Sequence, residues 1–297
     1  MALPLACHGN IIADADDIVP NYEDARGPWI VAGQLHVGDG GSAIMQVFGF
    51  DASGNPDLVS TPTGARIGVT DLGSVDVFAG AQWSDGQVLY IGAGSFGEFT
   101  VREAGSQLTT QAMEVGAFDF GSEGQLRVQE GASWTSAGET RVGVIGRSSI
   151  AVSGGASWTV QPSGSVVIGA GSTIDVADVD FTGNGTAWNT NGLVQLSRDS
   201  AGRVTLGSGA DWISNAVVEL GTASGGAAPV SLNASGTTWT SNAAVNLLQQ
   251  AAVTASTGAL WTSTATVTSP NNATVSLQAG IWRSQAPVNA GGTTGIS

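Results

Sequence analysis

The sequence contains no lysine, one cysteine, two histidines and few charged residues of either sign. Charged residues make up only 11% of the 297 positions, and 24 acids against 9 arginines give a net charge of −15. This negative charge opposes binding to phosphate backbones and to anionic lipid, so we expect no nucleic-acid partner. A single cysteine cannot form an internal disulfide, and no catalytic triad can be drawn without a well-placed histidine.

Long apolar runs are also missing. No stretch approaches the roughly 18 apolar residues that a membrane-spanning helix needs, so we expect no direct membrane insertion. Ala13-Asp14-Ala15 loosely matches the small-x-small pattern of a secretion-signal cleavage site, but the basic and fully apolar regions of a complete signal are absent. We predict a secreted or cell-surface protein of a bacterium, with an incomplete signal in this sequence.

Glycine and short alternating apolar runs dominate what is present. There are 44 glycines and 42% hydrophobic residues. This mixture disfavours long helices, and it disfavours disorder because apolar side chains are plentiful. The acids stop at Glu219, and beyond it Arg283 is the only charged side chain, which predicts a nearly neutral surface for the last third.

Tryptophan marks an internal repeat. From Trp134 onward, neighbouring tryptophans are 21 to 30 residues apart, and Val59 and Leu108 fill the two wider gaps before it. This gives eleven anchor positions. The nine tryptophans are Trp29, Trp83, Trp134, Trp158, Trp188, Trp212, Trp239, Trp261 and Trp282.

Aliphatic pairs flank most anchors at nearly fixed offsets. Leu89 and Ile91 follow Trp83, and Val75 and Val77 precede it. Alternation with a period of two places both members of a pair on one face of a strand. Each repeat therefore predicts a strand, a turn, a Trp corner, a short strand and a Gly turn.

Strands that return in the same order stack in parallel, and such connections are nearly always right-handed. The sequence predicts an all-β fold, a right-handed parallel β-solenoid (β-helix) of about eleven coils of roughly 25 residues. Residues 1–28 lack the motif and are expected to cap the solenoid, which spans residues 29–297. Segments 48–58 and 177–187 are expected to project as inserted loops.

The repeats also carry a family resemblance. Gly131-Ala132-Ser133-Trp134-Thr135, followed by Thr140-Arg141-Val142-Gly143, and the similar block Gly155-Ala156-Ser157-Trp158-Thr159 resemble repeats of type V autotransporter passengers and PEP-CTERM-sorted bacterial proteins. The resemblance covers about residues 29 to 290. It implies the β-solenoid fold and roles that range over adhesion, aggregation and passive surface structure.

The tryptophan column leaves two hypotheses open. Indoles that face outward would form a ladder suited to stacking against sugar rings, whereas indoles that face inward would fill the corner of each coil. The aliphatic anchors Val59 and Leu108 favour the interior. The ladder would consist of Trp134, Trp158, Trp188, Trp212, Trp239 and Trp261.

Clustered carboxylates are the best candidate for catalysis. Asp178 and Asp180 share a strand face at (i, i+2) spacing, and Asp175 is close in sequence, with Arg198 as the nearest cation along the chain. Such a group could form an acid/base pair of a carbohydrate-active β-helix, either a polysaccharide lyase or hydrolase or a phage tailspike-like enzyme, or it could supply calcium ligands. A solvated outer face is the simpler interpretation, and we favour it.

The sequence therefore predicts a non-enzymatic surface solenoid, an adhesin or a structural, self-associating module, with no catalytic residue, metal or cofactor. Expected partners are a surface glycan, a host or matrix protein, or a second copy of the chain. The carbohydrate-active enzyme is the alternative.

Overall fold

The structure is a computed structural model that describes residues 10–13, 18–19, 28–49, 55–119, 121–171, 177–221, 227–270, 273–291 and 295–296. All regular structure in these ranges is β-strand, and they contain no helix. Successive coils stack in parallel, so the predicted β-solenoid is confirmed. A meander of hairpins would have required antiparallel neighbours throughout.

One strand of each coil contributes to a twelve-stranded sheet, called sheet 1 here. From Ala43–Phe48 onward its strands pair in parallel, with each inward apolar position in register with the next, as in Val75, Phe99 and Leu126. The strands of sheet 1 are β1 Asn10–Ala13, β5 Ala43–Phe48, β8 Gly73–Phe78, β10 Phe96–Arg102, β12 Glu123–Gln129, β15 Arg147–Ser153, β18 Ala177–Thr182, β21 Gly202–Gly207, β24 Ala228–Asn233, β27 Ala251–Ser256, β30 Thr274–Gln278 and β33 Gly295–Ile296.

The strands that carry the anchors form a second parallel stack, in which each Trp from Trp134 onward pairs in register with the Trp of the next coil. These strands are β3 Trp29–Ile30, β6 Leu58–Thr61, β9 Gln82–Ile91, β11 Gln107–Val115, β13 Ser133–Ser136, β16 Ser157–Val160, β19 Ala187–Thr190, β22 Asp211–Ser214, β25 Thr238–Ser241, β28 Leu260–Ser263 and β31 Ile281–Ser284.

The aliphatic pairs after the anchors form a third stack, which is continuous with the second within the long strands β9 and β11. Its separate strands are β2 Ile18–Val19, β4 Leu35–Val37, β7 Ala65–Ile67, β14 Glu139–Val142, β17 Ser165–Ile168, β20 Leu193–Leu196, β23 Val218–Leu220, β26 Val245–Leu247, β29 Val267–Ser269 and β32 Val288–Ala290.

The solenoid has about nine turns, slightly fewer than the eleven predicted. Within the described residues eleven anchor strands are stacked, but β3 and β31 stand at the two ends of that stack. An end coil is covered by another coil on one side only, so counting anchors overestimates the number of turns enclosed between neighbours.

Two short strands from the segment predicted to be a cap lie against the first coil. β1 pairs with β5, and β2 pairs with β4, in both cases antiparallel to the solenoid strands. Ile18 of β2 is buried. Backbone pairing of this kind covers the open edge of a parallel stack. The rest of residues 1–28, apart from Pro28, lies outside the described residues.

Alternation along most interior strands separates core from surface. In β12, for example, Leu126 and Val128 are buried while Gln125 and Arg127 point outward. Tight turns between coils require glycine: Gly92 has φ +69°, and a Cβ there would lie 2.5 Å from the carbonyl oxygen of Glu123. The result is one continuous core with polar outer faces.

The prediction of an inserted loop at residues 177–187 is wrong. Residues 177–182 form β18, an ordinary strand of sheet 1 in which Val179 and Phe181 are buried. The aliphatic-pair pattern does not predict this strand, because Phe181 is aromatic and Asp178 and Asp180 alternate with the two inward residues. The extra length of this coil precedes the strand, in a segment of which residues 172–176 lie outside the described residues. Residues 50–54 of the other predicted loop also lie outside them.

Candidate functional site

The tryptophan column lies inside the solenoid. The six indoles proposed as a ligand ladder are each 0–1% exposed, so that hypothesis is wrong and the interior interpretation is correct. From Trp134 to Trp282, consecutive rings stack with centroids 4.1 to 5.2 Å apart. Parallel coils in register place identical side chains at the inter-strand spacing, and this spacing suits stacked rings.

A column of buried hydroxyls satisfies most of the indoles. Each of these indole N–H groups donates to the Ser or Thr that stands two residues after the anchor of the preceding coil, as from Trp239 Nε1 to Ser214 Oγ at 3.1 Å. The other donor–acceptor pairs are Trp134 with Thr110, Trp158 with Ser136, Trp212 with Thr190, Trp261 with Ser241 and Trp282 with Ser263. A hydroxyl at this position has a structural purpose that the sequence reasoning overlooked.

The column is interrupted at Val160, which occupies the hydroxyl position of the coil before Trp188. Trp188 Nε1 is buried and has no hydrogen-bond partner. Replacing Val160 with threonine would supply an acceptor at nearly constant volume. Since a buried donor without a partner costs about 1–3 kcal/mol, we expect Val160→Thr to leave the free energy of unfolding unchanged or to raise it by about 1 kcal/mol.

The matched control for that substitution is Val152→Thr, which buries a hydroxyl on the inward face of sheet 1. Burying an unpaired hydroxyl is expected to cost about 1–3 kcal/mol. Urea unfolding of both variants measures the difference. Equal losses in the two variants would show that the hydroxyl introduced by Val160→Thr forms no bond with the indole.

Sequence reasoning also missed Asp85. This residue stands two positions after the anchor Trp83 and so occupies the place of a hydroxyl in the column. The next coil has the anchor Leu108, which offers no indole N–H to this position. The Asp85 side chain is only 3% exposed. The Thr61 hydroxyl donates to Asp85 Oδ2 at 2.8 Å, and the Gln87 backbone N–H donates to Oδ1 at 3.1 Å. Burial raises the pKa of Asp85 from 3.8 to about 6, although both hydrogen bonds oppose the shift.

The carboxylates predicted as an alternative site are only partly brought together. Asp178 and Asp180 lie on the outward face of β18, while Asp175 lies outside the described residues. The cation beside Asp178 is Arg203 of the next coil, not Arg198, with Arg203 Nε 2.9 Å from Asp178 Oδ1. Parallel stacking, not distance along the chain, decides this pairing.

Asp178 and Arg203 form an ion pair on the outer face, in which Asp178 Oδ1 is the buried oxygen. Burial raises the pKa of Asp178; the neighbouring Arg203 opposes this shift and Asp180 reinforces it. The Asp178 carboxylate is therefore partly desolvated, with its side chain 27% exposed.

A groove lies beside Asp178 on the outer side of sheet 1. It has a volume of about 360 Å³ and crosses four consecutive coils. Its lining consists of Glu123, Gly124, Arg147, Ser148, Ser149, Asp178 and Arg203. Apart from Asp178, these residues were not predicted as a site, because their proximity follows from the register between coils: Glu123 pairs with Arg147, and Ser149 with Asp178.

Small side chains create the groove. Ser149 stands in register between Gln125 and Asp178, and Gly124 pairs with Ser148 at the inward position next to it. Gln125 Nε2 donates to Glu123 Oε1 at 2.8 Å, which fixes one wall. Ser148 is 7% exposed, and its Oγ has no hydrogen-bond partner.

Metal and membrane features were also sought in the described part of the chain. It contains no group of three or more His, Cys, Asp or Glu side chains that could hold a metal ion. The ranges described hold no helix that is long and apolar enough to cross a membrane.

Within the ranges that the structure describes, the groove and the buried columns are thus the candidate sites. In comparisons with known proteins, no family model, curated protein or solved structure matches the chain.

Proposed function

We propose that the chain is an extracellular, non-enzymatic solenoid of a bacterial surface protein, which presents its outer faces for adhesion or self-association. The observation that supports this best is the unbroken register of sheet 1. From β5 to β33 its strands are parallel neighbours, and at roughly 4.8 Å per strand they form a face about 50 Å long. Such a face suits an extended contact with a glycan, a host or matrix protein, or a second copy.

The charge distribution of this face supports contact through the later coils. In sheet 1 the outward positions Thr205, Ser231, Thr254 and Ser276 are aligned in four consecutive strands. The same column in earlier coils carries Asp76, Arg127 and Asp180. Since no acid follows Glu219, like copies can approach through the hydroxyl-rich coils without the repulsion that a net charge of −15 causes elsewhere.

Attachment and aggregation of coated beads test the proposal. Beads that carry the chain are expected to bind surfaces coated with glycan or matrix protein, or to aggregate with one another. The double variant Ser231→Glu and Thr254→Glu places acids on the hydroxyl-rich face and is expected to reduce aggregation several-fold by charge repulsion.

The matched control is the double variant Ser74→Glu and Thr100→Glu, which adds the same charge to outward positions of early coils. It is expected to aggregate like the unmodified chain. Beads that neither attach nor aggregate under any condition would contradict the proposal.

The carbohydrate-active enzyme is the second candidate, and the groove beside the partly desolvated Asp178 favours it. Incubation with a panel of polysaccharides, scored for new reducing or unsaturated ends, separates the two functions. The proposal expects no turnover. Turnover that disappears in Asp178→Asn would replace it with the enzymatic function.

A further inference from the structure

The indoles from Trp134 to Trp282 form one unbroken stack along the inside of the solenoid. Consecutive ring centroids lie 4.1 to 5.2 Å apart, and consecutive ring planes differ by 4° to 21°. Rings this close and this nearly parallel overlap through their π systems. Because the rate of electron transfer falls steeply with distance, a series of short steps between neighbours is much faster than one transfer over the whole stack.

The stack also stabilises the charge that such a transfer creates. Indole is among the most easily oxidised side chains, and loss of one electron leaves it as a radical cation. A positive charge is favoured over the face of another aromatic ring, because the ring quadrupole is negative there. Trp212 has such a face on each side, from Trp188 and Trp239. The stack therefore offsets part of the cost of a charge in an apolar core.

The hydrogen bonds of the column keep that charge mobile. An oxidised indole becomes a localised neutral radical when its N–H proton is lost to a base. Here the N–H groups donate to Ser or Thr hydroxyls, as from Trp239 to Ser214 at 3.1 Å, and Trp188 has no partner. A neutral hydroxyl is too weak a base to take the proton. The carboxylate of the hydroxyl column, Asp85, faces a coil whose anchor is Leu108, outside the stack.

The two ends of the stack differ in hydration. Trp134 is 1% exposed, and the preceding anchor, Leu108, has no π system to extend the path. Trp282 is only partly buried, so water reaches its ring. Since hydration stabilises a positive charge, a charge that moves freely through the stack collects at Trp282.

We propose that the stack conducts one-electron oxidation from Trp134 to Trp282. A one-electron oxidant beside the early coils takes an electron from Trp134, and each later indole reduces the one before it until the positive charge lies on Trp282. Water then adds to this ring, and loss of a second electron and two protons leaves one oxygen atom on it. Two equivalents of oxidant are reduced. The stack thus moves oxidation out of the core to a hydrated indole.

An oxidant tethered at the Trp134 end tests the path. In a Cys7→Ser background, which removes the one native thiol, Thr135→Cys places a thiol at the outward position next to Trp134. A ruthenium polypyridyl complex attached there becomes a one-electron oxidant when it is illuminated with a cobalt(III) ammine as electron acceptor. Peptide mass spectrometry then locates the added oxygen. We expect most of it on Trp282, at the far end of the stack, above the background that the free complex gives.

Interrupting the stack is expected to stop the transfer. Trp212→Leu removes a middle indole, and Leu108 shows that an anchor position accepts leucine. We expect this variant of the labelled chain to lower the yield of oxidised Trp282 at least tenfold. Trp83→Leu is the matched control, because it removes a similarly buried indole from a coil outside the stack. It is expected to give the same yield as the labelled chain without it.

Urea unfolding verifies the fold of each variant, and Trp239→Leu provides a second interruption if Trp212→Leu does not fold. Oxygen confined to Trp134 in the uninterrupted chain would overturn the inference, because the charge would not have left the first indole. An unchanged yield at Trp282 in the interrupted chain would also overturn it, because the oxidant would then reach that ring through solvent. Neither result bears on adhesion or self-association, which the bead assays test separately.

Discussion

Replacing Trp212 with alanine is expected to lower the free energy of unfolding by about 3–5 kcal/mol, the usual range for a buried tryptophan. Trp212 is fully buried, and its ring stacks between Trp188 and Trp239 at centroid distances of 4.4 and 4.5 Å. The substitution opens a cavity, removes both stacking contacts and leaves the Thr190 hydroxyl without its indole donor. Neighbouring coils cannot collapse into the space, because backbone pairing on both sides fixes their separation.

Urea unfolding followed by circular dichroism measures this loss. Trp282→Ala is the matched control, since Trp282 is only partly buried and stacks on Trp261 alone. We expect it to cost less than half as much. Trp212→Leu is expected to fall between the two, because Leu108 occupies the same position in another coil. A loss below about 1 kcal/mol for Trp212→Ala would contradict an energetic role of the column.

Stability is expected to fall between pH 4 and pH 7 because of Asp85. Folding raises the pKa of this carboxyl from 3.8 to about 6, so the folded chain binds the proton more tightly than the unfolded chain does. The stabilising effect of protonation is complete below pH 4 and is lost as the pH rises through about 6. A shift of this size corresponds to a loss on the order of 3 kcal/mol.

Asp85→Asn removes the titration while keeping an acceptor for the Gln87 N–H. Its unfolding free energy is expected to vary less with pH, and above pH 6 it is expected to exceed that of the unmodified chain. Asp71→Asn, on the exposed surface, controls for the loss of one negative charge. If Asp85→Asn and Asp71→Asn show the same pH profile, the carboxyl at position 85 does not cause the loss.

The fold was predictable from the sequence because equivalent positions of successive solenoid coils recur at regular intervals along the chain. Each Trp and each aliphatic pair recurs at nearly fixed offsets, and this recurrence requires parallel stacking. The preference for an inward Trp column also followed from Val59 and Leu108, which occupy anchor positions. Phe181 shows where the pattern is insufficient: an aromatic residue stands at an aliphatic position of the repeat, so the sequence predicts a loop where β18 forms.

The groove could not be predicted in the same way. Its residues come from four coils, and each is ordinary within its own strand. Only exact register places Glu123 beside Arg147 and Asp178 beside Arg203. Aligning the coils strand by strand would have revealed both neighbour pairs, whereas distance along the chain pointed to Arg198. Asp85 was missed for a related reason, since the role of the hydroxyl column is visible only across coils.

The hydroxyl column has a consequence for how such a chain can lengthen. From Trp134 onward, every indole except that of Trp188 bonds to the hydroxyl of the coil before it. A coil of this part of the solenoid that carries both groups can therefore be copied in tandem without creating an unpaired donor. The coil with Trp239 and Ser241 meets this condition. The coil with Trp158 and Val160 does not, and its copy would repeat the defect seen at Trp188. Gene duplication is therefore favoured for some coils and penalised for others by one buried hydrogen bond.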